Sequence, residues 1–224
     1  MNRISIILIS LTIIFIGCNN FQNELKTYND IVEVELARDT VINEIFMGLR
    51  YGDSESLTKK KLRKLLSEKK LSKNANNKIE YEFITDESTL SLIGPIKALI
   101  DVEFHNDKLY VFKLRASLDA NTNQFLENEK KIELMHLVLN KPFNTKYRSL
   151  GYKTIKLENI LNDKIKDDYY IYSNNQIKIS SWLNTDITYT DLRILKEIEI
   201  EEEKEKEIKN EENRKERIKQ LNDL

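Results

Sequence analysis

The sequence predicts an α+β protein: two units, each a helix followed by an antiparallel meander, and then a long charged C-terminal helix. Three observations carry this. Apolar residues recur at helical spacing in two stretches. Alternating strand patterns joined by two-residue turn signals follow each stretch. Past residue 195 apolar residues thin out while charge accumulates. With 224 residues, 40% of them apolar, the chain is long enough for a sizeable core.

The first helix follows Gly52-Asp53-Ser54. Asp53 or Ser54 is the expected N-cap, and Glu55 puts a negative charge in the first turn, where the helix dipole favours it. Leu57, Leu62, Leu65 and Leu66 form the apolar stripe, to about residue 70. Lys59, Lys60, Lys61, Lys64, Lys69 and Lys70 cover the remaining surface. That is the pattern of a solvated face, and beside a membrane it also suits anionic lipid or another polyanion.

Strand signals come next. Ile79, Tyr81 and Phe83 alternate with charged residues, and Ile96, Ala98, Ile100, Val102 and Phe104 share one face. Residues 109–114 make a third candidate, with Asn106-Asp107 as a two-residue turn. The second helix spans about 123–139 on a stripe of Phe125, Ile132, Met135, Val138 and Leu139, and is expected to stop at Pro142. Strands at 169–172 and 176–182 then flank Asn174-Asn175, and 186–192 alternates through Ile187 and Tyr189. The units span 45–118 and 119–195 and share one core or two adjoining cores.

The closing segment, 196–224, holds 11 acidic and 8 basic residues. Between Glu201 and Arg217 only Ile208 is apolar, so a helix here has no wide stripe to bury. Glu202–Lys206, Glu205–Lys209 and Glu211–Lys215 have the spacing to support it, each by about 0.2–0.5 kcal/mol. Sustained apolar a and d positions are missing, which excludes a coiled coil.

The N-terminus carries the clearest functional signal. Arg3 precedes a largely apolar run over 4–16, which is too short for a spanning helix of about 20 residues but has the length of a secretory signal core. Phe15-Ile16-Gly17-Cys18 follows. This resembles the lipobox of bacterial lipoproteins, and the resemblance implies a signal peptide over 1–17, cleavage before Cys18 and acylation of the Cys18 sulfur. Phe15 stands where Leu is preferred. A processed lipoprotein carries several acyl chains, and two suffice for stable anchoring. The polar, Asn-rich stretch after Cys18 reads as a tether, with lead-in to the body over 18–44.

Composition excludes several chemistries. A single Cys leaves neither an internal disulfide nor a Cys-cluster zinc site. Two His and five Gly argue against a His-rich metal centre and a glycine-rich phosphate loop. A net charge of −1 argues against a nucleic-acid partner. No cofactor is expected. Glu133 and His136 have the i, i+3 spacing of a helix-borne metal pair, but di-iron bundles need two such motifs and two further carboxylates. His136 is therefore expected at the surface or boundary, and His105 beside a turn. Asp167-Asp168 is a carboxylate pair in a chain crowded with charge, so it points to no acid–base site by itself. Tyr169, Tyr170, Tyr172 and Trp182 form a candidate binding face. Alternation turns Tyr170 and Tyr172 one way and Tyr169 the other, so one set belongs to the core and the other is available to carbohydrate or protein.

The segment Ile45-Phe46-Met47-Gly48-Leu49-Arg50-Tyr51-Gly52-Asp53-Ser54, then a helix, then a meander, resembles small envelope lipoproteins of the Bacteroidota type. It is also loosely similar to the helix-plus-sheet modules of SmpA/OmlA lipoproteins and of beta-lactamase inhibitor proteins. In such modules an apolar residue usually stands where this chain has Asp53. The resemblance implies a binding or scaffold role. The sequence-level expectation is a non-catalytic, lipid-anchored envelope protein facing the periplasm or exterior. Its partners would be the membrane, through Cys18, and an envelope protein. The rivals are an envelope-polymer hydrolase and an assembly subunit that docks through its C-terminal helix.

Overall fold

The computed structural model describes residues 27–117, 128–158, 166–181 and 185–222. The lipobox with Cys18, and Trp182, lie outside these residues. Within them the chain is α+β with antiparallel strands, closed by a long C-terminal helix.

A helix α1 over 27–36 opens the described chain. A small hairpin follows, β1 (Glu44–Phe46) and β2 (Leu49–Arg50), turning at Met47-Gly48, where both residues have positive φ. A type I′ turn needs that at both central positions, which Gly48 adopts without a Cβ penalty. Next come α2 (Glu55–Ser67), β3 (Ser72–Lys73), β4 (Ile79–Glu82), α3 (Glu87–Ile93), β5 (Lys97–His105) and β6 (Lys108–Ser117). The second half runs α4 (Asn128–Ser149), β7 (Lys153–Glu158), β8 (Lys166–Tyr172), β9 (Asn175–Ser181), β10 (Thr185–Asp191) and α5 (Leu192–Asn222).

All strands from β3 onward form one 8-stranded sheet in the order β3-β4-β5-β6-β10-β9-β8-β7. Each half contributes a four-strand meander, and the last strands of the two halves, β6 and β10, pair antiparallel at the seam. Helices α2 and α4 cover one face. The core on that face draws Leu62 and Leu65 from α2, Met135, Leu139 and Tyr147 from α4, and Ala98, Phe112, Leu114, Tyr170, Ile177, Ile179, Ile187 and Tyr189 from the sheet. The two units therefore share a single cluster rather than two cores.

Several local expectations shift. Ser54 is the N-cap of α2, its Oγ accepting from the Leu57 N–H at 3.2 Å. Asp53 instead accepts from the Arg50 N–H at 2.9 Å and the Lys61 ammonium at 2.6 Å. Leu57 is exposed and Thr58 takes the core position, because the buried residues at 58, 62 and 65 set the helix rotation. Pro142 lies inside α4, which continues to Ser149. An interior Pro costs about 3 kcal/mol. Downstream of it Phe143 and Tyr147 pack into an aromatic group with Tyr152, Tyr170 and Tyr189, which offsets that cost. The β8–β9 turn sits on Ser173-Asn174, one residue earlier than expected, since Tyr172 pairs with Asn175. Helix α1 lies within the expected tether and entry segment, 18–44, past the Asn-rich stretch, and α5 begins at Leu192, upstream of 196. Of three expected ion pairs on α5, Glu202–Lys206 and Glu211–Lys215 form, at 3.9 and 3.1 Å. At about 1.5 Å per residue its 31 residues span about 46 Å, and from Glu201 to Ile218 it is solvent-exposed.

Candidate functional site

Two polar regions organise the two faces of the sheet: a buried network under α4, and a charged lattice on the face that α2 and α4 leave open.

The network is a consequence of matched periods. His136 and Asn140 are one turn apart on α4, a rise of about 6 Å, and Asp168 and Tyr170 are alternate residues on β8, about 6.6 Å apart. The two pairs face each other. His136 Nε2 donates to Asp168 Oδ2 at 3.0 Å, and Asn140 Nδ2 donates to the same oxygen at 2.5 Å. The Tyr170 hydroxyl donates to Asn140 Oδ1. His136 and Asp168 are each 5% exposed. At the sheet edge the Lys156 ammonium stands 3.8 Å from the other Asp168 oxygen. Burial, and then the Asp168 charge, pushes the Tyr170 hydroxyl up to about 12, so it stays a donor at neutral pH. His136 is thus buried and paired, which corrects its expected place at the surface or boundary. The cause is Asp168, which alternation turns inward while Asp167 points to the other face. His105 lies at the end of β5, 3.3 Å from Glu201 of α5. A His–carboxylate pair is a component of nucleophilic sites. Here, however, the remaining ring nitrogen, His136 Nδ1, is buried and without a hydrogen-bond partner among the described residues, so none of their hydroxyls is held against it. Glu133 is exposed, and no group of three or more potential metal ligands occurs among the described residues.

The open face is built from the alternate residues of the same strands. Register sets one row across the sheet, Asp167, Ser180, Asp186, Arg115, Leu99, and a second, Tyr169, Lys178, Thr188, Lys113, Asp101. Opposite charges fall on neighbouring strands: Lys178–Asp167 and Lys113–Asp186 pair diagonally, each at 2.8 Å, and Arg115 stands 3.7 Å from both Asp186, directly opposite it, and Asp101, on the diagonal. Burial pulls the Lys178 ammonium down, but the hydrogen bond to Asp167 and the nearby Tyr169 outweigh it and the net shift is upward. A third row, Gln176, Thr190 and Val111, is buried. Helix α1 reaches over it, the Tyr28 hydroxyl donating to Gln176 Oε1 at 2.5 Å and its ring meeting Tyr169 edge-on at 5.3 Å.

The expected aromatic face is divided by this architecture. Tyr170 is 1% exposed and belongs to the core, so it presents no surface to a ligand. Tyr172 lies on the same side, half-buried, with the Arg38 guanidinium 5.1 Å from its ring centre. Tyr169 lies on the open face under Tyr28, with the Lys178 ammonium 5.4 Å from its ring centre. The sequence carried a signal for the lattice in Lys113/Arg115, Lys178 and Asp186, charged residues at alternate strand positions. Which strand neighbours which was the missing information.

Comparison with known proteins finds no match: no family model, no curated protein and no solved structure is similar to the chain. No helix among the described residues is long and apolar enough to cross a membrane.

Proposed function

We propose that this chain is a lipid-anchored envelope protein with a non-catalytic binding or scaffolding role, held to the membrane through Cys18 and presenting the open sheet face to a protein partner. The observation that carries the binding role is the charged lattice. Its two rows are broad and polar, their charges are already neutralised by one another, and they flank a core large enough to keep them in register. A surface with balanced charges and many hydrogen-bonding groups suits a protein partner, where complementary charge fixes register more than it adds affinity. Phe15-Ile16-Gly17-Cys18 supports the anchor.

The two parts are tested separately. Growth on a palmitate analogue should label the wild-type chain and leave a Cys18→Ala variant unlabelled; label persisting in the variant refutes the anchor. A photo-crosslinking amino acid at Thr188, in the middle of the lattice, should yield one discrete adduct in cells, and the same group at Asn210 on the exposed stretch of α5 should not. An adduct from the α5 position alone would shift the role to assembly through the C-terminal helix.

A further inference from the structure

Residues 56–79 carry nine Lys or Arg and one carboxylate, Glu68, a net charge of +8 in a chain whose total is −1. The buried side of α2 is set by Thr58, Leu62 and Leu65, so Lys60, Arg63 and Lys64 straddle the opposite, outward stripe. Lys69 and Lys70 follow at the helix C-terminus, and Lys73 and Lys78 lie on the β3–β4 hairpin. All seven are exposed. Carboxylates border this surface: Glu80, Glu82, Asp86 and Glu87 follow in residues 80–87, on β4 and just beyond it. Glu55 pairs with Lys59 at 2.5 Å, Asp53 with Lys61 at 2.6 Å, and Glu68 lies 2.8 Å from Lys70 and 3.7 Å from Lys64. The hydrogen bond from Lys70 holds the Glu68 carboxyl below its ordinary value, against the small opposing effect of burial, and the charges of Lys70 and Lys64 add to it. Lys60, Arg63, Lys69 and Lys78 have no carboxylate within ion-pair distance among the described residues.

An apolar side chain stands at the same corner. Ile84 is 99% exposed. It lines a shallow depression of about 460 Å³ together with Lys69, Lys70, Glu82 and Phe83. Glu82 is the acidic member, and Lys97 stands 3.9 Å from it. Two cations, Lys69 without an ion-pair partner among the described residues and Lys70 paired with Glu68, share the depression with this fully exposed aliphatic group. Cations and an exposed apolar group are the two components of interfacial binding, since charge attracts the headgroups and the apolar group enters the acyl boundary.

We propose that the outward face of α2 and the adjoining α2–β3–β4 corner form a docking surface for an anionic lipid bilayer, with Ile84 as the inserted residue. This deepens the membrane-tethered reading. Residues 18–26 reach at most about 30 Å when fully extended, which keeps the body near the bilayer; because α1 starts over the open face, the tether has to run past a sheet edge for α2 to face the membrane. Seated on α2, the body would have a fixed orientation rather than swing on its tether.

The test uses the chain from residue 18 with Cys18→Ser, which keeps every described residue and carries no acyl group. It should sediment with vesicles of phosphatidylethanolamine and phosphatidylglycerol, remain in solution with phosphatidylcholine vesicles, and be released as salt rises. The triple variant Lys60→Gln/Arg63→Gln/Lys69→Gln should bind on the order of a hundredfold more weakly. Ile84→Ala should bind about tenfold more weakly. These side chains are exposed, so thermal midpoints should not move. Unchanged binding of the triple variant overturns the proposal. So does a parent chain that ignores phosphatidylglycerol vesicles while binding heparin, which would make the surface a site for soluble polyanions. Because the tested chain is not acylated, a failure here is distinguishable from a failure of the Cys18 anchor.

Discussion

Phe112→Ala should destabilise the protein by about 3–5 kcal/mol, the cost of removing a fully buried aromatic ring whose surroundings cannot collapse onto the gap. Phe112 is 0% exposed and sits on β6, the strand that joins the two meanders. Its register partners are Val102 on β5 and Tyr189 on β10, and its ring stacks on Phe46 at 5.3 Å and meets Tyr189 at 5.9 Å. It therefore bridges the β1–β2 hairpin, the first meander and the second. Against a total stability of 5–15 kcal/mol typical of globular domains, the loss consumes a large share. The adjoining residue provides the contrast. Lys113 points to the opposite face and pairs with Asp186 at 2.8 Å. Lys113→Ala should cost about 1 kcal/mol or less, the range for a pair near the surface. Urea unfolding should show the Phe112→Ala midpoint falling sharply with its slope unchanged. Similar losses for both variants would mean that alternation on β6 does not separate a core face from an open one.

The alternation was legible in the sequence at several places. Ala98, Ile100, Val102 and Phe104 all turn to the covered face, as their spacing required. Asn106-Asp107 has positive φ at both positions and makes the expected two-residue turn. Its Asp107 also accepts the Glu55 N–H at 2.9 Å, which ties the turn to the start of α2. What could not be read was the pairing of β6 with β10. Those strands lie more than 60 residues apart in sequence, and nothing in an isolated strand names its neighbour. Short or weakly patterned elements were also hidden. The β3 strand has only two residues, and α1 falls in a stretch whose anchoring depends on distant groups. Glu35 at its end is buried and accepts the Ser173 N–H at 3.0 Å from the β8–β9 turn. Pro142 shows the opposite failure. Its local rule was clear, and tertiary packing of Phe143 and Tyr147 outweighed it.

The polar sites were less legible because each depends on an orientation that composition does not reveal. Asp167 and Asp168 are adjacent and chemically identical in sequence. In the fold one joins the solvent-facing lattice through Lys178 and the other enters the core beside His136. Tyr169 and Tyr170 divide in the same way. Alternation alone separates the two members of each pair, but which side is buried follows from where α4 lands.

Asp168→Ala should cost about 3–5 kcal/mol, close to the Phe112 effect but for an electrostatic reason. The substitution removes the acceptor shared by His136 Nε2 and Asn140 Nδ2, and leaves both donors buried and unpaired. The Tyr170 hydroxyl keeps Asn140 as its acceptor, so the aromatic group should survive and the loss should concentrate at the α4–β8 contact. Asp167→Ala is the internal control: it also removes a carboxylate, but one opposed by a Lys178 that can reach water, and about 1 kcal/mol is expected. In a His136→Ala/Asp168→Ala double variant the penalty should fall short of the sum of the singles by about 1–3 kcal/mol, because the second change removes a donor that the first had stranded. Denaturant unfolding of the four chains gives every quantity needed. If Asp168→Ala costs no more than Asp167→Ala, the network does not hold α4 to the sheet, and a structural role for the His136–Asp168 pair is refuted. A large, coupled loss has the converse meaning. The pair then acts as a buried clasp between helix and strand. It fixes β8 against α4, and β8 carries Asp167 on the other face, so the clasp on the covered side helps hold one strand of the charged lattice on the open one.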